Sequence, residues 1–212
     1  MTEAAEKTRK KRMGRPPLID NARAYILKIS SQFFGKNGYE RSTIAQLAQG
    51  MNMSKAFIYH YFTSKEQIID EIALDTQKRL IERSMQRIAQ SDDVMEKIRL
   101  FMLEHAEFIQ DNYYEVRALD YTFAGQMSKE VEIVARRNNA DYRAILVDLF
   151  RQGMEAGEIR AEDPAVAAQA VFSLVHSISR WYKPDSDPLP AAHYADKFFA
   201  MISTGIRTEP RA

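Results

Sequence analysis

The 212-residue chain contains no cysteine. That absence removes disulfides, thiolate metal sites and cysteine nucleophiles, and it is compatible with a reducing cytoplasm. Glycine and proline are sparse, at 8 and 7 residues, and stand mostly at element boundaries, so neither a glycine-rich phosphate cradle nor a nucleophile elbow is present. No long hydrophobic run occurs. The most apolar segment, Ala165 to Ile178, is interrupted by Gln169, Ser173, His176 and Ser177 and falls short of the roughly 18 to 20 residues of a membrane span. The N-terminus carries charges with no apolar stretch behind them, which excludes a secretory signal. His60, His105, His176 and His193 show no metal-ligand spacing with carboxylates, and Glu104-His105 with Glu107 and Asp111 reads as a polar helix face. The expectation is a cytoplasmic protein that is not an enzyme, uses no metal or cofactor and does not enter a membrane.

What is present is a core-forming composition, 45% apolar and 28% charged, and a hidden charge asymmetry. The net charge is only +1. Through Lys65, however, 12 Lys and Arg stand against four acids, a net of +8, while the remaining 147 residues carry 18 basic and 25 acidic groups, a net of −7. A basic first third on an acidic remainder points to an anion-binding head on a body that does not share the task.

Helical periodicity dominates, and the expected fold class is all-α. Residues 1–17 form a polar basic arm with no apolar face to bury. A first helix is predicted after an Asp20 cap, with Ile26, Ile29, Phe33 and Phe34 inward and Gly38 at its end. Thr43-Ile-Ala-Gln46 is a capping box that opens a short helix. Gly50 to Met53 is a turn, Ser54 caps a second short helix over 55–62, and Thr63-Ser-Lys-Glu66 opens a long helix to about Gln90. Further helices are predicted at about 92–111 behind an Asp92 cap, 113–127, 129–156, 164–182 behind Asp163-Pro164, and 189–206.

Two short helices joined by a tight turn make a helix-turn-helix candidate, whose second helix enters the major groove of DNA. Ile58 and Phe62 are four apart and face the core. Lys55, Ala56, Phe57 and His60 then point away from it, and Tyr59 and Tyr61 flank that face with hydroxyls placed for phosphates.

The segment GYERSTIAQLAQGMNMSKAFIYHYFTSKEQI resembles the DNA-binding segment of the TetR family of bacterial transcriptional regulators. Gly38-Tyr39, Ser42-Thr43-Ile44, Ser54, Ile58-Tyr59, Tyr61-Phe62 and Ser64-Lys65-Glu66 carry the likeness, which covers about residues 22–70. It implies a three-helix head over 18–65 and a body over 66–212 with a ligand pocket and a two-helix dimer face. By position, Thr43, Tyr59, Tyr61 and Lys65 fall where the family contacts phosphate, and Ser42 and Ser54 join them in the expected contact set. Lys55, Ala56, Phe57 and His60 fall at the base-reading positions that vary between members; many relatives have glycine where this chain has Ala56. In the arm, Gly14-Arg15-Pro16 resembles the centre of an AT-hook, which places Arg15 in the minor groove, although Met13 stands where a full AT-hook has Arg. The alternative for the arm is a solvated, non-specific tail.

In the body, the helix from 164 is rich in small residues and the last helix carries Phe198, Phe199, Met201 and Ile202. Two such helices from each of two chains are expected to form a four-helix homodimer interface. Candidate ligand-lining residues are Phe101, Phe108, Tyr121 and Phe123, with Arg117 and Arg143 as polar anchors. Arg180-Trp181-Tyr182, in a Trp-Tyr-x-Pro ending, resembles TetR relatives that respond to acyl-coenzyme A thioesters; its plainer reading is a helix end stacked on its neighbour. The resemblance therefore implies a ligand-responsive homodimeric repressor. Double-stranded operator DNA and a small apolar or acyl-coenzyme A effector are its partners, the effector releasing it from a palindrome. The alternatives are a ligand-independent architectural DNA-binding protein and a transcriptional activator.

Overall fold

The computed structural model describes residues 21–120, 127–160 and 163–206, and the regular elements among them are helices. The head contains α1 (Ala22–Asn37), α2 (Ile44–Gly50) and α3 (Lys55–Tyr61). The long α4 (Lys65–Ile88) leads to α5 (Val94–Asp111), α6 (Tyr113–Asp120), α7 (Lys129–Glu155), α8 (Pro164–His176), the short α9 (Ile178–Trp181) and α10 (Ala191–Ile206).

The caps explain where these helices begin. Thr43 and Gln46 form the reciprocal box, with the Gln46 N–H donating to Thr43 Oγ1 at 3.2 Å and the Thr43 N–H to Gln46 Oε1 at 2.9 Å. Ser54 accepts from the Phe57 N–H at 3.1 Å. Three starts differ from expectation by one residue, each where two cap-capable side chains are adjacent. Asp20 lies outside the described residues and Asn21, at φ 59°, caps α1; Ser64 rather than Thr63 caps α4; Asp93 rather than Asp92 caps α5. At α4 the Gln67 side chain, not Glu66, reaches back, its Oε1 accepting the Thr63 N–H at 2.7 Å. Gly38 takes φ 81° and its N–H donates to Phe34 O at 2.8 Å, ending α1 as expected. The helix predicted over 164–182 divides at Ser177, whose hydroxyl donates to Leu174 O at 2.7 Å, and the last helix starts at Ala191. Of the helix predicted over 113–127, residues 121–126 lie outside the described part.

Two apolar cores result. In the head, Ile26, Phe34, Leu47, Ile58 and Phe62 pack with Ile68, Ile69 and Ile72 of α4 and with Ala118 of α6. In the body, Ile98, Phe101 and Met102 of α5 meet Tyr142, Leu146 and Phe150 of α7, Val171 and Val175 of α8, and Ala191 and Ala195 of α10. Leu80, Ile81 and Ile88 of α4 lie against that second core, so one helix spans both. The head core thus extends through Ile72, beyond the expected boundary at 65. Arg79 locks α4 to the start of α6, donating to Asn112 Oδ1 at 2.6 Å and to Glu115 Oε2 at 2.8 Å. On the other side of α6, Gly35 of α1 lies so close to the Tyr114 backbone that an added Cβ would overlap its carbonyl oxygen.

Candidate nucleic-acid interface

Helix α3 is held by its caps and by Ile58 and Phe62, both buried in the head core, which fixes the face it turns outward. Lys55, Ala56, Tyr59 and His60 are exposed on that face, Tyr59 at 52%. Phe57 differs: it is half-buried, leans on the head core, and meets the edge of Tyr61 at 5.5 Å. Its bulk and the absence of any polar group explain this, since a phenyl ring gains more from partial burial than from water. Tyr61 is likewise half-buried and also contacts His60 at 4.8 Å.

The end of α3 is clamped by residues whose pattern gave no signal in the sequence. Arg23 of α1 donates through Nη1 to Tyr61 O at 2.6 Å, lies 4.4 Å over the Phe62 ring and pairs with Glu71 of α4. Local spacing cannot reveal a contact between residues 38 and 48 positions apart.

Among the expected phosphate contacts, Thr43 is exposed at the start of α2, while its hydroxyl is engaged with Gln46. The Ser54 hydroxyl is committed to capping. Ser42 is buried at 1% exposure and its hydroxyl donates to Gly38 O at 2.7 Å, so the structure gives it an internal task in place of the expected outward one. Lys65 also turns inward: Nζ donates to Tyr39 O and Ser42 O, both at 3.0 Å, and lies 4.0 Å over the Tyr39 ring. An ammonium gains from satisfied carbonyls and an aromatic face when water is partly excluded. Burial, reinforced by Glu66, Glu40 and Asp70, pushes the Tyr39 hydroxyl up to about 12. Arg15 lies outside the described residues.

Among the described residues, the candidate ligand residues do not converge on one place. Phe101 is fully buried and stacks on Tyr142 at 4.7 Å. Phe108 is buried beneath the guanidinium groups of Arg79 and Arg83, at 5.7 and 5.4 Å. Arg143 lies 5.7 Å over Phe172 and borders a groove of about 240 Å³ between α7 and α8. Arg117 borders a larger cleft between head and body. Tyr121 and Phe123 lie outside the described residues. Arg180 is exposed, Trp181 meets Tyr194 edge-on at 4.9 Å, and the buried Tyr182 donates its hydroxyl to Gln110 Oε1 at 2.7 Å. The Trp-Tyr ending is thus stacked on α5 and α10.

The expected polar face at Glu104-His105 is corrected outright, because both side chains are buried, at 4% and 2% exposure. A line of hydrogen-bonding groups crosses the body core through His105. Ser84 Oγ lies 3.0 Å from Tyr142 OH, which lies 3.0 Å from His105 Nδ1; His105 Nε2 then lies 3.3 Å from His176 Nδ1. The line joins α4, α7, α5 and α8 in turn. Burial, with a smaller contribution from His176, lowers His105 to about 3, so its imidazole is neutral at pH 7. Burial also raises the Glu104 carboxyl, opposed by Arg83, whose Nε is 2.5 Å from Oε1.

A short capped helix with an exposed polar face, braced by α1 and α2 on a larger helical body, defines a helix-turn-helix DNA-binding protein. The chain belongs to the TetR family of bacterial regulatory proteins. The family model described as bacterial regulatory proteins, tetR family, matches residues 26–72, and that described as tetracyclin repressor-like, C-terminal domain, matches residues 91–206. The TetR family transcriptional regulator PfmR from Thermus thermophilus is 30% identical, with a TM-score of 0.80 over 84% of this chain and 97% of that one. The HTH-type transcriptional repressor KstR2 of Mycobacterium tuberculosis is 23% identical over 195 residues, 90% of this chain and 96% of the relative. AibR, solved in complex with isovaleryl coenzyme A and operator DNA, is 24% identical and has the same fold, with a TM-score of 0.74 over 86% of this chain and 97% of AibR. The chain is a DNA-binding transcriptional regulator, like the members of the family it matches. Among the described residues no helix is long and apolar enough to cross a membrane.

Proposed function

We propose that this regulator is a homodimeric repressor, cytoplasmic, that leaves a palindromic operator when a small acyl-coenzyme A-type effector binds its body. The observation that carries the DNA-reading half is the outward face of α3, where Lys55, Tyr59 and His60 are exposed on a helix whose opposite side is locked into the head core. Two such helices enter successive major grooves about 34 to 36 Å apart. Lys55 and His60 read base edges, Tyr59 and Thr43 hold phosphates, and the arm around Arg15 follows the minor groove.

The dimer reading is supported by α8 and α10, which leave Val166 and Met201 at 65% and 74% exposure among the described residues. Large apolar side chains of this kind mark association surfaces when they recur on adjoining helices. The effector reading is supported by two likenesses: KstR2 is a repressor by name, and AibR was solved with an acyl-coenzyme A and operator DNA. In this chain α4 reaches from the head core to the body core, so a ligand that displaces its C-terminal half moves the base of α3.

The test is a gel shift on the DNA upstream of the chain's own gene, with and without a series of short, long and aromatic acyl-coenzyme A compounds. Binding that one thioester class releases is the expected result. Binding that none of them affects, together with no heat of binding to the protein, overturns the effector reading.

A further inference from the structure

Between head and body lies a cleft of about 730 Å³, within the size range of small-molecule sites. One wall is the end of α1 with the turn after it, Gly35 to Arg41; the other combines Tyr113, Tyr114 and Arg117 of α6 with the loop from Lys183 to Ser186. We propose that this cleft binds a phosphate-bearing nucleotide, and that by bridging the two walls the ligand sets the angle at which α3 meets DNA.

The cleft is cationic on both walls, and on the body side its charge runs against that of the rest of the body. Lys36, Arg41, Arg117 and Lys183 bring four cations against Glu40 and Asp185, although the chain beyond residue 65 is net acidic. Arg41 and Lys183 are exposed, and neither takes part in an ion pair among the described residues. Arg41 on one wall and Lys183 on the other, both outside the ion pairs of the described residues, suit a ligand with more than one phosphate. The second feature is aromatic. Tyr113 and Tyr114 stand edge to face at 5.3 Å, and Lys36 Nζ lies 4.8 Å over the Tyr114 ring. Tyrosine rings beside cations offer a stacking surface for a base next to the contacts for its phosphates.

The location supplies the consequence. The same walls contain a close backbone approach between head and body, Gly35 on Tyr114. A ligand gripping Lys36 on one side and Lys183 on the other favours whichever head orientation lets both reach it, and it shifts the population by its differential affinity for that orientation. A nucleotide and the nucleotide end of coenzyme A carry the same chemistry; the second source rests on the effector reading above.

Isothermal titration of the full-length protein with ADP, adenosine 3′,5′-bisphosphate, coenzyme A and inorganic phosphate tests the assignment. Saturable binding of at least one nucleotide is expected, weakened about tenfold or more in the Lys36→Ala/Lys183→Ala variant and unchanged in Arg151→Ala on the far helix α7. Asp185→Asn is expected to tighten binding, an effect that damage to the fold does not produce. ADP binding identifies the free nucleotide as source, and binding by coenzyme A and the bisphosphate without ADP identifies the thioester's nucleotide end. No heat from any nucleotide, or binding that the double lysine variant retains, overturns the proposal. Release of DNA by an acyl-coenzyme A that the double lysine variant preserves, together with nucleotide binding that the variant also retains, removes the cleft and leaves the effector reading intact. Loss of nucleotide binding in that variant, with no thioester response in the wild type, keeps the cleft and removes the effector reading.

Discussion

Replacing His105 with Gln tests the buried polar line through its effect on stability against pH. In the folded protein the imidazole is lowered to about 3 by burial among Tyr142, Phe101 and Phe172, with a smaller contribution from His176 beside it. In the unfolded chain it returns to about 6.5. The folded form therefore binds fewer protons between those values, and stability is complete above about 6.5 and falls as pH drops through that window. Lowering pH from about 7.5 to about 5 costs close to 2 kcal/mol through this one group, a figure insensitive to the folded value as long as it lies well under 5. For a chain of this size that corresponds to a fall of roughly 4 to 8 °C in Tm beyond the decline common to both proteins. His105→Gln keeps a hydrogen-bonding group beside Tyr142 but does not titrate. Urea unfolding of both proteins at matched concentration and both pH values gives the difference directly, with the carboxylate contributions cancelling. Parallel pH dependence in the two proteins would refute the burial of a neutral imidazole.

Gly35→Ala places a methyl on the Tyr114 carbonyl, where backbone must move, and is expected to cost about 1–3 kcal/mol in chemical denaturation and to weaken operator binding by disturbing the α1–α6 joint. Tyr59→Phe removes one exposed hydroxyl and is expected to lower affinity uniformly across operator variants; a changed base preference in a competition gel shift would contradict its phosphate role. Val166→Glu combined with Met201→Glu puts charge on the exposed apolar face of α8 and α10, and sedimentation velocity is expected to show a monomer with weakened operator binding; a dimer of undiminished stability would place the interface elsewhere.

The head was readable in the sequence because its determinants are local. The Thr43–Gln46 box and the Ser54 cap act over three residues, and the Ile58–Phe62 spacing over four, so pattern and structure coincide there. The one-residue slips at Thr63–Ser64 and Asp92–Asp93 arise where two side chains compete for one cap and only the angle at which the chain enters the helix decides. Glu104 and His105 show the opposite limit. They read as a polar face because neighbouring charges on α5 set the local pattern, while their burial is imposed by α4, α7 and α8, brought over them from elsewhere in the chain. The inward turn of Lys65 has the same origin, since the carbonyls it meets lie 26 and 23 residues away. The candidate ligand residues were legible as types but not as a group: aromatic residues on several helices reach one cavity or several depending on helix rotation, and here Phe101, Phe108 and Arg117 face three different environments.

The outward face of α3 as the reader of DNA sequence is tested most directly by measuring, at one fixed salt concentration, affinity for a selected palindrome and for versions with single base pairs replaced. Wild type is compared with Lys55→Ala and His60→Ala. The expected result is a loss of about 1–3 kcal/mol of discrimination at one position in each half-site, with other positions unaffected. A uniform loss of affinity with every base preference retained would contradict it.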